Sequence, residues 1–290
     1  MFYTFRFNRK LTVLLVTAAA ILIAACTFSA NPVQAANAQQ GIKLPIIMYH
    51  SMLKDSKYQG QYVVSPDEFE KDLQYLQKNG YTTIFMKDLI DYVDNKSELP
   101  PKPIVITFDD GYYNNYLYAY PLAQKYNQKI VISPIGYYTD LFSKESANHP
   151  NYSHCTWDQI REMMSSGVVE IQNHTYNLHD SKKGKRTGVC KLKGESTASY
   201  QSALKADFDK MQQEMKENTG YEPNTFVYPF GAVCPEAVSL VKSYGFRASV
   251  TCQYKMNTIT RNPDCLYGLG RYLRPTGISS EKYFEKIGVN

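Results

Sequence analysis

Asp109 and Asp110 stand side by side in Thr107-Phe108-Asp109-Asp110-Gly111, and His174 and His179 stand five apart in Asn173-His174-Thr175-Tyr176-Asn177-Leu178-His179. Adjacent side chains at a strand end point to different sides, so one carboxylate can bind a metal while its neighbour approaches a water on that metal. Taken alone, Asp-Asp-Gly is also turn chemistry that caps a helix starting around Tyr112. On a helix, five residues leave two rings about 140° apart, so a metal shared by the histidines requires a loop. An isolated pair at this spacing reads first as two ordinary loop histidines. Beside an Asp-Asp pair, in a chain with only five His, the set reads as a metal site of Asp, His, His and water. Those ligands suit tetrahedral Zn²⁺ with an open catalytic position, and other divalent transition ions as well.

Such groups need a scaffold that delivers them to one place. Short apolar runs occur at 46–49, 81–85, 104–108, 130–135, 168–171, 225–228, 246–250 and 268–273, and most read as strands buried on both faces. Helical signals lie between them. Ser65-Pro66-Asp67-Glu68 is a capping box with Pro at the first helical position, and its helix places Phe69, Leu73 and Leu76 on one face before Gly80. Thr156 to Gln159 repeats the capping logic, and Pro235 to Tyr244 stops at Gly245. The fold class is α/β, and this alternation fits a distorted (β/α)7–8 TIM-like barrel in a single domain better than an open doubly wound sheet. No glycine-rich nucleotide loop follows any strand. In such barrels catalytic groups sit at the C-terminal rim. His50 closes the first run, Asp109 and Asp110 the third, His174 follows the fifth, and Pro229-Phe230-Gly231 follows the sixth.

The N-terminus carries Arg6, Arg9 and Lys10 ahead of an apolar stretch from Leu11 to Ala25, the layout of a secretory signal peptide. Ile23-Ala24-Ala25-Cys26 resembles a lipobox with Cys26 as the lipidated residue, and Val33-Gln34-Ala35 resembles an ordinary cleavage site. Residues 26–43 read as a linker, and the folded domain is expected over 44–290. Both cleavage readings place it outside the cytoplasmic membrane, secreted or anchored as a lipoprotein, with membrane contact only through that leader or lipid. Without the three leader charges the net +5 becomes nearly neutral. Arg makes up eight of the 32 basic residues, which argues against a nucleic-acid partner. Apolar residues at 43% against 20% charged exclude a disordered chain. Cys155, Cys190, Cys234, Cys252 and Cys265 have no Cys-x-x-Cys spacing; an exported protein can form one or two bridges among them, with connectivity left open.

Thr107 to Gly111 together with His174, Thr175 and His179 resembles the first two motifs of the polysaccharide deacetylases of the NodB-homology, carbohydrate esterase family 4 group. The resemblance covers roughly residues 44–275. It implies a bound divalent metal, with Asp110, His174 and His179 as ligands, Asp109 as general base, and hydrolytic removal of acetyl groups from a polysaccharide. The spacing of five, the absence of any His after His179 and the lack of Arg in 224–231 depart from the common pattern. Met48-Tyr49-His50 resembles the permuted branch that includes poly-N-acetylglucosamine deacetylases, so the general-acid role falls on His50. Arg271 or Arg274 stands in for the missing Arg, with Arg271 taken as catalytic. Tyr228, Pro229, Phe230 and Gly231 resemble the third motif and are expected to bind substrate, the Phe230 N–H serving as oxyanion donor. Tyr112, Tyr113, Tyr116, Tyr137, Tyr138 and Tyr176 are candidate sugar-stacking rings. Lys182, Lys183, Lys185, Arg186, Lys191 and Lys193 form a basic stretch, read as a solvated loop before a site for anionic polymers. The expected partner is a polysaccharide, N-acetylglucosamine polymer in wall or exopolysaccharide, with the protein a monomer. An O-acetylxylan esterase and a non-catalytic glycan-binding domain are the alternatives.

Overall fold

Seven of the eight apolar runs form parallel strands of one ring in the computed structural model: β1 (Ile46–Tyr49), β2 (Pro103–Asp110), β3 (Ile130–Pro134), β4 (Val169–Ile171), β5 (Thr225–Val227), β6 (Ala248–Val250) and β7 (Tyr272–Leu273). The structure describes residues 41–145, 147–182 and 185–290. The leader and most of the linker, as well as Lys183, lie outside the described residues. β7 pairs with β1, β1 with β2, β2 with β3 and β3 with β4, all in parallel. β5 and β6 form a second parallel pair. Single bridges join the two sheets, Asn173 to Phe226 on one side and Val250 to Leu269 on the other. The ring is therefore a (β/α) barrel distorted at two seams. The run at 81–85 contributes only Thr82–Thr83, which pairs with the start of β2 outside the ring.

β2 is buried along its whole length, as a strand covered on both faces is, and it therefore reads as a continuous apolar run until its two acids. Helices wrap the ring: α1 (Pro66–Lys78), α2 (Met86–Val93), α3 (Tyr120–Tyr126), α4 (Gly136–Glu145), α5 (Trp157–Ser165), α6 (Thr197–Thr219), α7 (Pro235–Tyr244) and α8 (Ser280–Lys286). The α1 capping box is complete: Glu68 N–H donates to Ser65 Oγ (3.1 Å) and Ser65 N–H to Glu68 Oε2 (3.0 Å). Phe69, Leu73 and Leu76 are buried, each worth about 1.5–3 kcal/mol relative to exposure. Trp157 packs at the start of α5 and donates from Nε1 to Asp140 (2.8 Å). α6 buries Tyr200, Leu204, Phe208, Met211 and Met215 along one stripe; Tyr200, Leu204 and Phe208 form a second core with Phe226, Tyr228 and Phe246, while Met211 and Met215 join the main core. Among the described residues no helix is long and apolar enough to cross a membrane.

Candidate active site

At the C-terminal end of β2 the chain turns sharply. Asp110 adopts φ 68° and Gly111 φ 70°, and a Cβ on Gly111 would lie 2.7 Å from Pro134 Cα, so only glycine fits against β3. The turn separates the two carboxylates. Asp109 faces Arg271, whose Nη1 and Nη2 donate to Asp109 Oδ1 (2.6 Å) and Oδ2 (2.8 Å). That fork is itself held, Nε donating to the Thr251 carbonyl (2.9 Å) and Nη1 to Thr107 Oγ1 (3.2 Å). Burial favours the neutral acid at Asp109, but Arg271 and the nearby His174 outweigh it and hold the carboxyl below its usual range.

Asp110 points to the histidines. Its Oδ1 lies 3.5 Å from His174 Nε2 and 3.3 Å from His179 Nε2. The His174–His179 segment is a loop, with Thr175 at φ 69°, and this brings the two rings to 5.0 Å between centroids. His174 Nδ1 sits 2.9 Å from the Val227 carbonyl. A carbonyl only accepts, so Nδ1 carries the proton and Nε2 turns its lone pair toward Asp110, the arrangement that orients metal-binding imidazoles. Asp110 Oδ1 is buried without a hydrogen-bond donor. Among the described residues, Asp110, His174 and His179 form the one cluster able to hold a metal, their ligand atoms all within 4.8 Å of one another. An orphaned carboxylate oxygen and two oriented imidazoles fit a divalent ion. Burial opposes ionisation of Asp110, but His174, His179 and His50 hold it far below the carboxylate range. His179 is lowered by burial and by His174. His174 is raised, its burial overcome by Asp110 and Asp109.

His50 follows β1, its Nε2 3.9 Å from Asp109 Oδ2. Its Nδ1 is buried without a partner, and burial lowers its pKa. Asn115 Nδ2 donates to the His50 carbonyl (2.8 Å), and Met52 N–H donates to Asn114 Oδ1 (2.9 Å), so the segment after the Asp-Asp-Gly turn fixes the His50 backbone. A cleft of about 510 Å³ opens over these groups, with His50, Asp109, Asp110, His174, His179 and Phe230 in its lining.

Of the two arginines, Arg271 alone reaches the cleft carboxylates; Arg274 pairs with Asp72 on α1. The four residues expected to bind substrate do not act together. Phe230, 44% exposed and at φ 58°, lies 4.2 Å from the His179 ring. Tyr228 is instead buried against Phe226 in the second core, because it continues β5 on the face away from the cleft. Pro229 is buried, and Gly231 packs against Cys252, where a Cβ would meet atoms at 2.6 Å. Of the six candidate stacking tyrosines, Tyr112 lines the cleft; Tyr176 donates to Asp140 (2.9 Å) and Tyr116 to Glu162 (2.8 Å). In the basic stretch, Arg186 pairs with Glu195 (2.6 Å).

Three further residues shape the site. Tyr62, 51% exposed, meets the His50 ring edge-on at 4.9 Å. Asp207 on α6 accepts from Tyr176 N–H (2.8 Å) and Asn177 N–H (2.7 Å), clamping the loop between the two histidines. His154 Nδ1 lies 3.0 Å from the Asp110 carbonyl, behind the turn, stacked on Tyr138 at 4.5 Å. Asp207 stands in a helical stripe whose other members are apolar, which is a legible signal for a buried acid with a partner; Tyr62 and His154 have none.

The rim of the barrel thus gathers an Arg-held carboxylate and an Asp-His-His cluster in one cleft. The chain is a member of the polysaccharide deacetylase family, whose model matches residues 96–249. It is similar to the poly-beta-1,6-N-acetyl-D-glucosamine N-deacetylase of Escherichia coli (strain K12), 25% identical over 219 residues, which cover 69% of this chain and 32% of that protein. It is also similar to the putative polysaccharide deacetylase YxkH of Bacillus subtilis (strain 168), 31% identical over 212 residues, 73% of this chain and 65% of that one. This chain thus spans about a third of the E. coli relative. Among solved structures, a de-N-acetylase from Aggregatibacter actinomycetemcomitans matches with a TM-score of 0.71 and 29% identity, covering 84% of this chain and 100% of that one.

Proposed function

We propose that the protein removes N-acetyl groups from an N-acetylglucosamine-containing surface polysaccharide, a poly-β-1,6-linked polymer before peptidoglycan, and does so outside the cytoplasmic membrane. The observation that carries this reading is the pairing of an Arg-held carboxylate, Asp109, with a separate Asp-His-His cluster in one cleft. The names of the E. coli and Aggregatibacter relatives favour N-deacetylation over the O-acetylxylan alternative.

Asp110, His174 and His179 would hold the metal, with Zn²⁺ the ion their chemistry suits best. Bound there, it supplies Lewis-acid polarisation of the acetyl carbonyl and acidifies a water. Asp109 takes the proton from the attacking water, and the Arg271 fork keeps its carboxylate ionised and aimed. The Phe230 N–H donates to the oxygen on which charge develops. His50, in the lining of the same cleft, delivers a proton to the departing sugar nitrogen, since an amide nitrogen leaves poorly as an anion. The acetyl carbon gains the water oxygen and the C–N bond breaks, giving acetate and the free amine.

Mass spectrometry of β-1,6-linked N-acetylglucosamine oligomers incubated with the Zn²⁺-loaded chain tests this reading, with peptidoglycan fragments and acetylxylan as parallel arms. Acetyl loss from the oligomers, abolished by a chelator and restored by Zn²⁺, is the expected result. Acetyl loss from acetylxylan alone selects the esterase, and tight oligomer binding without any loss selects a glycan-binding role.

A further inference from the structure

The loop that leaves His179 and the turn that carries Phe230 meet a second time, away from the metal cluster. Gly188 lies so close to Pro229 that a Cβ on it would stand 2.9 Å from the Pro229 carbonyl oxygen. Val189 is fully buried in the core that holds Phe226 and Tyr228. One residue on stands Cys190, and Cys234 is the N-cap residue of α7, directly after the Phe230 turn. Tyr200 of α6 ties these segments together, its hydroxyl donating to the Val189 carbonyl (2.9 Å) and lying 3.7 Å from Cys234 Sγ. Cys234 Sγ is in turn 4.0 Å from that carbonyl. Burial, then the charge and hydrogen bond of Cys234, push the Cys190 thiol up to about 11. The other described cysteines sit against other groups: Cys155 on the Tyr112 carbonyl (3.3 Å), Cys252 on Arg271 and Met48 (3.8 Å each), and Cys265 on the Thr260 carbonyl (3.5 Å).

We propose that Cys190 and Cys234 form a disulfide that fastens the His179 loop to the Phe230 turn. The bond forms by exchange with a small disulfide oxidant such as oxidised glutathione. One protein thiolate attacks the oxidant's S–S bond, releasing one glutathione thiol and leaving a mixed disulfide. The second protein thiolate attacks the protein-bound sulfur and releases the second glutathione. Two electrons pass from the protein thiols to the oxidant, and the two protons leave on the released thiols. The bridge spans α6 and β5, so it constrains the unfolded chain over a long loop. It also joins two segments that contribute to one cleft wall, and it stands independently of the substrate assignment.

Oxidation of the full chain with oxidised glutathione, alkylation of free thiols and peptide mapping without reductant test it. The expected result is a cross-linked Cys190–Cys234 peptide, with Cys155 and Cys265 alkylated after denaturation. Dithiothreitol should then lower the parent's Tm by several degrees, while Cys190→Ser shows no dependence on reductant and Cys265→Ser retains the parent's shift. Full alkylation of Cys190 and Cys234 after oxidation, or capture of either by Cys155, Cys252 or Cys265, overturns the pairing.

Discussion

Two buried guanidinium–carboxylate pairs sit three residues apart around β7, and they do different things. Three is an odd separation, so on an extended segment the side chains leave by opposite faces. Arg271 turns into the barrel and grips Asp109 of β2; Arg274 turns outward and grips Asp72 of α1 (2.8 and 3.1 Å). Around Asp72 every further contact is internal: Tyr49 donates to its Oδ2 (2.8 Å), and Arg274 also donates to the Ile278 carbonyl (2.9 Å). Burial wins there, and the Asp72 carboxyl is raised despite its arginine. At Asp109 the balance goes the other way, because Arg271, with His174 and His50 adding to it, outweighs burial. The same pair chemistry thus serves once as a staple between helix and barrel and once to keep a carboxylate charged at the edge of a cleft.

The largest effect falls on Asp109. Asp109→Asn keeps the shape and removes the proposed base, so acetyl release per folded molecule should fall by about 10²–10⁴-fold, while bound metal, measured by elemental mass spectrometry, should stay at the parent's level because Asp110 is untouched. A rate within a few-fold of the parent would mean that the carboxylate gripped by Arg271 is as structural as Asp72.

The arginines come next. Removing one partner of a buried pair costs about 3–5 kcal/mol, so Arg271→Met and Arg274→Met should both lower stability in urea titrations. Their rates should part company. Arg271→Met should lose at least about tenfold in kcat, since Asp109 is no longer aimed or held ionised, whereas folded Arg274→Met should keep its kcat within about twofold. Equal kcat losses would erase the distinction between the two pairs.

That distinction was beyond the reach of sequence, and the reason is physical. Gly270 to Pro275 shows two arginines at a strand end, but the acids that sort them lie on β2 and α1, far away in the chain. The meeting of Asp110, His174 and His179 was legible because the three residues arrive on two short segments at the ends of buried strands. The loop geometry was legible too, since a spacing of five cannot share a metal on a helix. Tyr228 was misplaced because Tyr228 to Gly231 read as one unit, whereas strand alternation sends its ring into the second core and only Phe230 reaches the cleft. Asp207 went unread although the apolar stripe around it on α6 follows helical periodicity. Tyr62 and His154 come from loops whose sequences carry no periodic signal, and only the closed ring brings them to the rim.

Glu170 on β4 sharpens the comparison from a third side, as a buried carboxylate whose contacts are N–H groups instead of a guanidinium. It accepts from Met86 N–H (2.8 Å) and Lys87 N–H (3.1 Å) at the start of α2. Burial, with a smaller contribution from Asp88, pushes it up to about 7. In the unfolded chain it titrates near 4.5, so between these values the folded state binds the proton more tightly. Its contribution is therefore complete below about pH 4.5 and is lost as pH rises through about 7, a change of roughly 3 kcal/mol at most. Glu170→Gln keeps an acceptor for the N–H groups and removes the titration. Urea unfolding at pH 5 and pH 8 should show the parent losing stability relative to the variant at the higher pH. If parent and variant move together, the two N–H bonds stabilise the Glu170 carboxylate as effectively as Arg271 stabilises Asp109, and a guanidinium is not what separates a charged buried acid from a neutral one in this barrel.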